Sequence, residues 1–339
     1  MNGSAKPDIL LTGSTGLVGA RLLLDLRMRG HSVRAFRRPT SSMGVVNRMF
    51  RGQESLLEGV DWFEGDLLDL YDINEALSGI RFVFHAAALV SFAPSDRDLL
   101  LRVNKDVTAD LVNACLELGV EWLGYVSSVA ALGRTDEGVP VDENTFWKTS
   151  RYNTAYAISK YGGEREVWRG MEEGLNACMV NPTIVLGPGD WNFGSSALFR
   201  RVYEGLRLYP LGSTGFIDVR DVSSALLRCW DQRITGERFL LSSENVGYKE
   251  LLSWMSEGFG KEAPRFPVKP WMAGLAWRWE SLFSSITGRK PLVTRETARS
   301  SGKQWVYRND KARKVLGMDF IPVRESVLEN CRIFLDSIR

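Results

Sequence analysis

Histidine is nearly absent from this chain. Only His31 and His85 occur in 339 residues, too few imidazoles for a histidine-rich metal site. Cysteine is scarce as well. Cys115, Cys178, Cys229 and Cys331 form no C-x-x-C pair and match no zinc spacing, so they read as reduced, mostly buried thiols suited to a reducing cytosol. No charge of one sign dominates. The chain carries 43 basic and 41 acidic residues, a net charge of +2, which leaves no electrostatic footprint for nucleic acid. No run reaches the roughly 18 apolar residues of a membrane span; the best candidate, Trp271 to Ile286, is interrupted by Arg278 and Glu280. The opening Met1 to Pro7 is short and polar, without a charged-then-apolar leader pattern. These absences point to a cytoplasmic protein. Its 44% hydrophobic and 25% charged content is ordinary for a globular fold and argues against disorder.

The chain does have a regular alternation of strand and helix patterns through its first half. Apolar runs at Asp8 to Thr12, Ser32 to Phe36, Val60 to Phe63, Arg81 to Ala87 and Glu121 to Ser127 read as strands. Helical periodicity fills Gly16 to Arg29, Ile73 to Leu77 and Asp98 to Leu118. A further helix at Ala155 to Glu173 and a strand at Ala177 to Asn181 continue the series. Such alternation predicts parallel βαβ units, hence an α/β doubly wound sheet of the Rossmann type. From Pro182 the regularity breaks, and Pro264, Pro267, Pro270 and Pro291 punctuate the rest of the chain. The expected division is a dinucleotide-binding domain over 1–181 and a smaller, mixed substrate lobe over 182–339. Residues 216–230 are expected to return to the main sheet.

The first strand runs straight into a glycine loop, Gly13-Ser14-Thr15-Gly16-Leu17-Val18-Gly19. Glycines there allow a tight turn, close approach of backbone to a pyrophosphate, and close packing of helix on strand. The spacing is G-x-x-G-x-x-G rather than G-x-G-x-x-G. Alone it is compatible with a ligand-free turn; its place between a first strand and a first helix favours a dinucleotide. The second strand ends in Phe36-Arg37-Arg38-Pro39, with no acid in reach. An Asp or Glu at that point bonds the ribose hydroxyl of NAD, whereas a guanidinium accepts the 2′-phosphate of NADP. NADP(H) is therefore the preferred cofactor, with NAD(H) an open alternative.

Tyr156 and Lys160 lie four apart on an expected helix and so share a face. An ammonium beside a phenol stabilises the phenolate and makes the pair an acid/base device near neutral pH. Alone, this spacing is also that of a common surface pair. Ser127 and Ser128 end an earlier strand, where the carboxyl ends of a doubly wound sheet line the ligand crevice.

These motifs together resemble the extended short-chain dehydrogenase/reductases. That group includes the NAD-dependent epimerases and dehydratases, the dihydroflavonol reductases and the 3β-hydroxysteroid dehydrogenases. The resemblance is carried by TGSTGLVG at 12–19, GDL at 65–67, HAAA at 85–88, Asn104, YVSSVAALG at 125–133, YAISK at 156–160, NPTIVLGPGD at 181–190 and DVRDV at 218–222. They occur in the family's order over roughly residues 8 to 225, and KARKVLGMDFIP at 311–322 resembles its closing segment.

The resemblance implies Tyr156 as general acid/base and Lys160 as the residue that binds the nicotinamide ribose and tunes it. Ser128 would orient the reacting oxygen, and it is preferred over Ser127 for its offset of five from Gly133. Asn104 would belong to the proton relay. Asp66 and Leu67 would border the adenine, and Ala86, Ala87 and Ala88 would line the cofactor cleft. Asn181, Pro182 and Thr183 would also contact the cofactor. His85 is expected to be packing rather than catalytic.

The expected reaction is NAD(P)H-dependent reduction of a ketone or aldehyde, or oxidation of the matching alcohol. Arg37 and the Asn181-Pro182-Thr183 strand end resemble the dihydroflavonol reductase branch. Trp191, Trp254, Trp271, Trp277 and Trp279 offer aromatics for an apolar pocket, although each is as readily core or interface. A nucleotide-sugar epimerase remains the alternative, with Arg200, Arg201, Arg207 and Arg220 available for a diphosphate. Dehydration is disfavoured, since Val129-Ala130 replaces the expected Asp-Glu pair. Two weaker readings are a non-catalytic dinucleotide sensor and a membrane-associated steroid enzyme. The family habit implies a homodimer, with 98–118 and 155–173 as candidate bundle helices.

Overall fold

The computed structural model describes residues 6–133, 135–150, 153–268, 272 and 302–338. In chain order the first half reads β1 (Ile9–Thr12), α1 (Leu17–Met28), β2 (Val33–Arg37), α2 (Gly44–Met49), β3 (Val60–Glu64), α3 (Leu70–Leu77) and β4 (Phe82–His85). Next come α4 (Arg97–Leu101), a π-helical turn (Arg102–Asp106), α5 (Val107–Glu117), β5 (Trp122–Val126), α6 (Ala155–Glu172) and β6 (Ala177–Pro182). After these lie β7 (Ile184–Leu186), α7 (Ala197–Tyr203), β8 (Leu208–Tyr209), β9 (Ser213–Asp218), α8 (Val219–Asp231) and β10 (Glu237–Leu241). The chain closes with β11 (Glu244–Gly247), α9 (Tyr248–Phe259), β12 (Phe266–Pro267), α10 (Asp310–Leu316) and α11 (Val323–Ile338).

The described residues form a seven-stranded sheet ordered β10-β6-β5-β4-β1-β2-β3, and every pairing in it is parallel. Strands β1, β4, β5 and β6 are buried along their whole length. Their continuous apolar runs are what a sheet covered on both faces requires. One core layer packs α1 and α8 against the sheet through Leu22, Leu26, Val222 and Leu226. The opposite layer packs α3, α5 and α6 through Ile73, Leu111 and Val167. Strand order reverses beside β1, where β2 lies on one side and β4 on the other. That reversal opens a crevice at the carboxyl ends of the strands.

A three-stranded sheet, β11-β9-β7, packs with α7, α9 and α11 around a third core. The strand and helix expected near 216–227 are present as β9 and α8. The strand belongs to this smaller sheet, while α8 lies on the main one. Strand β10 comes from beyond residue 181 and still supplies an edge of the main sheet. Its run, Glu237 to Leu241, is too short for periodicity to reveal that destination. Among the described residues no helix is long and apolar enough to cross a membrane. The apolar candidate at 271–286 falls outside the described residues apart from Met272, as do Trp271, Trp277 and Trp279.

Trp191 is packed into the third core. It is 7% exposed, stacks edge-on against Phe199 and Phe334, and its indole donates to Ser337 Oγ at 3.1 Å. Trp254 packs against the same third core.

Candidate active site

The glycine loop is built by close contact. Gly13 has φ +70°, and a Cβ there would lie 2.5 Å from the Ala87 nitrogen. A Cβ on Gly19 would lie 2.0 Å from the Gly13 carbonyl oxygen. The loop is thereby pressed against the 86–88 segment just past β4. Ala86 N donates to Thr12 O at 3.2 Å and Ala87 N to Thr12 Oγ1 at 3.3 Å. Ser14 Oγ donates to Phe36 O at 2.8 Å, tying the loop to the end of β2. Helix α1 begins at Leu17 with Gly16 as its N-cap, no side-chain cap and no acid in its first turn. Its free first-turn N–H groups and dipole fit an anionic pyrophosphate, so the loop suits a dinucleotide.

Arg37 ends β2, and the register of β2 on β3 sets it beside Glu64. The guanidinium Nη2 donates to Glu64 Oε1, and the group lies over the Trp62 ring. The expectation of no acid within reach is corrected here. The acid comes from the neighbouring strand, which sequence order does not display. Arg37 Nε is buried and has no partner among the described residues. Arg38 is exposed. After β3, Asp66 is exposed and its carboxylate accepts from Leu68 N at 3.0 Å; Leu67 is half-buried against the core.

Ser128 lies just past β5 and Tyr156 opens α6, which is capped by Thr154 accepting from Ala157 N. Both are half-buried. The Ser128 hydroxyl accepts from Ala130 N at 3.1 Å and lies near the Tyr156 phenol. Burial pushes the phenol above its ordinary value, and the Ser128 hydroxyl pulls the other way. The Phe92 ring packs edge-on against Tyr156 at 5.8 Å between centroids and stays 38% exposed. It gives the phenol an apolar neighbour open to a substrate.

Lys160 is 1% exposed. Its Nζ donates to Tyr125 Oη at 3.0 Å and to Val126 O at 2.9 Å. The ammonium thus reaches Tyr125 directly, whereas the four-residue spacing points to Tyr156. Burial lowers Lys160 to about 7, against the pull of the Glu164 carboxylate. His85 is held by Thr12 and Thr108 and stacks on Tyr125. Burial, with the Lys160 charge, lowers it to about 3. It is neutral at ordinary pH and has no free edge for catalysis.

Asn104 sits in the π-helical turn, a feature frequent at functional sites and invisible to helical periodicity. Its Nδ2 donates to Leu89 O and Ser159 Oγ, both at 2.9 Å, and its Oδ1 accepts from Leu89 N at 2.8 Å. It therefore pins the segment after β4 to α6. Asn181 Nδ2 donates to Ser128 O at 3.0 Å and also to Glu164. Thr183 Oγ1 donates to Leu241 O, and Pro182 pairs with Leu241 in the sheet. The Thr183 hydroxyl and the Asn181 amide nitrogen are thus engaged by protein, while Asn181 Oδ1 is buried without a partner among the described residues.

The 13–19, 66–67, 86–88, 128 and 181–183 segments lie at the carboxyl ends of the parallel strands, and α6, which carries Tyr156 and Lys160, packs beside residues 129–131. Sequence reasoning missed Tyr125, Glu64, Phe92 and Glu164. Only Glu164 carried a signal, since it stands one turn beyond Lys160.

The fold and site define an NAD(P)-dependent enzyme of the extended short-chain dehydrogenase/reductase type. The chain belongs to the NAD dependent epimerase/dehydratase family, whose model matches residues 9–241. It is 29% identical over 326 residues to a Synechocystis protein named "Putative dihydroflavonol 4-reductase", spanning 94% of this chain and 92% of that one. The crystal structure of gox2253 superposes with a TM-score of 0.80 at 31% identity, covering 97% of this chain and 98% of that one. A UDP-glucose 4-epimerase from Thermotoga maritima, solved with UDP-glucose, shares the fold at TM-score 0.77 and 18% identity over 98% and 99% of the two chains.

Proposed function

We propose that this enzyme reduces a ketone or aldehyde with NADPH, or oxidises the corresponding alcohol. The observation that carries the reading is the placement of the Ser128 hydroxyl and the Tyr156 phenol near each other, both half-buried beside the exposed Phe92 ring. A nicotinamide bound in the crevice supplies the hydride. Tyr156 gives its proton to the carbonyl oxygen, and Ser128 holds that oxygen by a hydrogen bond. Lys160, fixed behind them, keeps positive charge near the developing phenolate. Phe92 favours an apolar or flat substrate flank. Residues 182–339 would supply most of the substrate side.

Two observations favour reduction over nucleotide-sugar epimerisation. The reductase-named relative is similar over nearly the whole chain, whereas the epimerase shares the fold alone. In addition, Arg200 pairs with Glu204, and Arg220 with Asp218 and Glu329, so these two guanidinium groups already have carboxylate partners.

Arg37 supports NADP(H), since a 2′-phosphate would compete with Glu64 for the guanidinium and meet its unpaired Nε. Quenching of tryptophan fluorescence by NADPH and NADH tests this. NADPH should bind about tenfold tighter or more, and Arg37→Glu should abolish the difference. Equal or tighter NADH binding in the unaltered protein overturns the NADP preference and brings the epimerase reading forward.

A further inference from the structure

Behind the reacting pair lies a buried carboxylate that the proposed proton and hydride steps do not use. Glu164 is 1% exposed and stands four residues beyond Lys160, on the same face of α6. One carboxylate oxygen accepts from Asn181 Nδ2; the other accepts from Arg238 Nη1 at 3.1 Å. The same Asn181 amide nitrogen gives its second hydrogen to Ser128 O. Arg238, from β10, is itself held by the Glu143 carbonyl, with Nη2 at 2.6 Å and Nε at 3.1 Å. Glu143 Oε1 in turn accepts from Leu240 N at 2.8 Å. A continuous polar strap therefore runs from the edge of the sheet, through α6, to the backbone of Ser128.

A buried ion pair seldom adds much stability over an apolar replacement, because desolvation offsets the attraction. This one has every carboxylate oxygen bonded and ends on Ser128, the residue assigned above to hold the carbonyl oxygen. We propose that Glu164, through Asn181 and Arg238, is a positioning residue: it fixes the Ser128 backbone against Tyr156 and places a negative charge one turn from Lys160. The inference rests on the catalytic roles assigned to Ser128, Tyr156 and Lys160 under the proposed function.

The charge has a direct consequence. Glu164 is the charged group that opposes the burial of Lys160 and keeps it from losing its proton still lower. The groups facing it are Lys160 on its own helix, Tyr125 on β5, Asn181 on β6 and Arg238 on β10. Glu143 and Lys311 lie behind Arg238, which Lys311 reaches through the Arg238 carbonyl at 2.8 Å. Asn181 carries no charge, and the Tyr125 phenol is pushed well up by burial. Removing the carboxylate removes the acid nearest Lys160.

The test is the Glu164→Gln variant, read in two ways. In the cofactor-free protein labelled with 13C-lysine, with Lys160→Met for assignment, the Lys160 titration midpoint should fall by about one pH unit. In turnover, kcat should fall about tenfold and its basic limb should move to lower pH by a similar amount. NADPH affinity should stay within about twofold. Glu164→Asp, which keeps the charge, should restore the Lys160 midpoint. If the single variant does not fold, Glu164→Gln combined with Arg238→Met removes both buried charges, and the Lys160 midpoint should still fall, by less, because loss of the Arg238 cation partly offsets loss of the carboxylate. An unchanged Lys160 midpoint and unchanged kcat profile in a folded variant overturn the proposal. Full activity in Tyr156→Phe would instead defeat the catalytic reading on which it rests.

Discussion

Tyr156→Phe is expected to lower kcat for carbonyl reduction about a thousandfold, with NADPH affinity within about twofold of the unaltered protein. The substitution deletes one oxygen from a half-buried ring whose neighbours are Phe92 and the Ser128 hydroxyl. Packing is retained, and what disappears is the proton donor. Steady-state kinetics beside a fluorescence titration separates the two quantities. The sign of the pH dependence comes from the same site. As an acid, Tyr156 must hold its proton, and burial raises its pKa, so it is ready over the neutral range. Lys160 must carry its charge, and burial has brought it down to about 7. The reductive kcat/KM should therefore be full below neutrality and fall as pH rises through about 7. A rate that rises through that window would show that Lys160 is not needed in its charged form.

Gly19→Ala should damage both folding and cofactor binding. The added Cβ would lie 2.0 Å from Gly13 O, 2.6 Å from Gly13 C and 3.0 Å from Ser14 Cα. All three are backbone atoms of one turn, so no side-chain rotation relieves the clash. Either α1 moves off the sheet, or the loop opens away from the 86–88 segment. The cost is about 3 kcal/mol of unfolding free energy, in the range of overpacked cores. NADPH affinity should fall about tenfold or more, because the N–H groups that would meet the pyrophosphate shift with the loop. Denaturant unfolding and fluorescence titration measure the two effects. A variant as stable as the parent, with unchanged affinity, would remove the loop from the cofactor site.

Much of the main sheet was legible in the sequence, because its information is local. Strands such as Ile9–Thr12 and Phe82–His85 are unbroken apolar runs, and α1 ends where its periodicity ends. Tyr156 and Lys160 were picked out by spacing, since four residues on a helix share a face, and Ser128 only through the family resemblance and its offset from Gly133. What was hidden depended on register between elements distant in sequence. Glu64 meets Arg37 only because β2 pairs with β3. Lys160 bonds Tyr125 rather than Tyr156 because β5 runs beneath α6 and presents both a phenol and the Val126 carbonyl. The π-helical turn that seats Asn104 inserts one residue into what periodicity reads as a continuous helix. Strand β10 and α2 were too short to announce themselves.

Hydride transfer to a carbonyl carbon is the central claim, and isotope transfer tests it most directly. The protein would be incubated with NADPH deuterated at C4 and a panel of aromatic and aliphatic ketones and aldehydes, with UDP-sugars alongside. Mass spectrometry would then locate the label. The account predicts an alcohol product with one deuterium on its carbinol carbon, and none with Tyr156→Phe. Interconversion of a UDP-sugar with no deuterated alcohol from any carbonyl compound would contradict it.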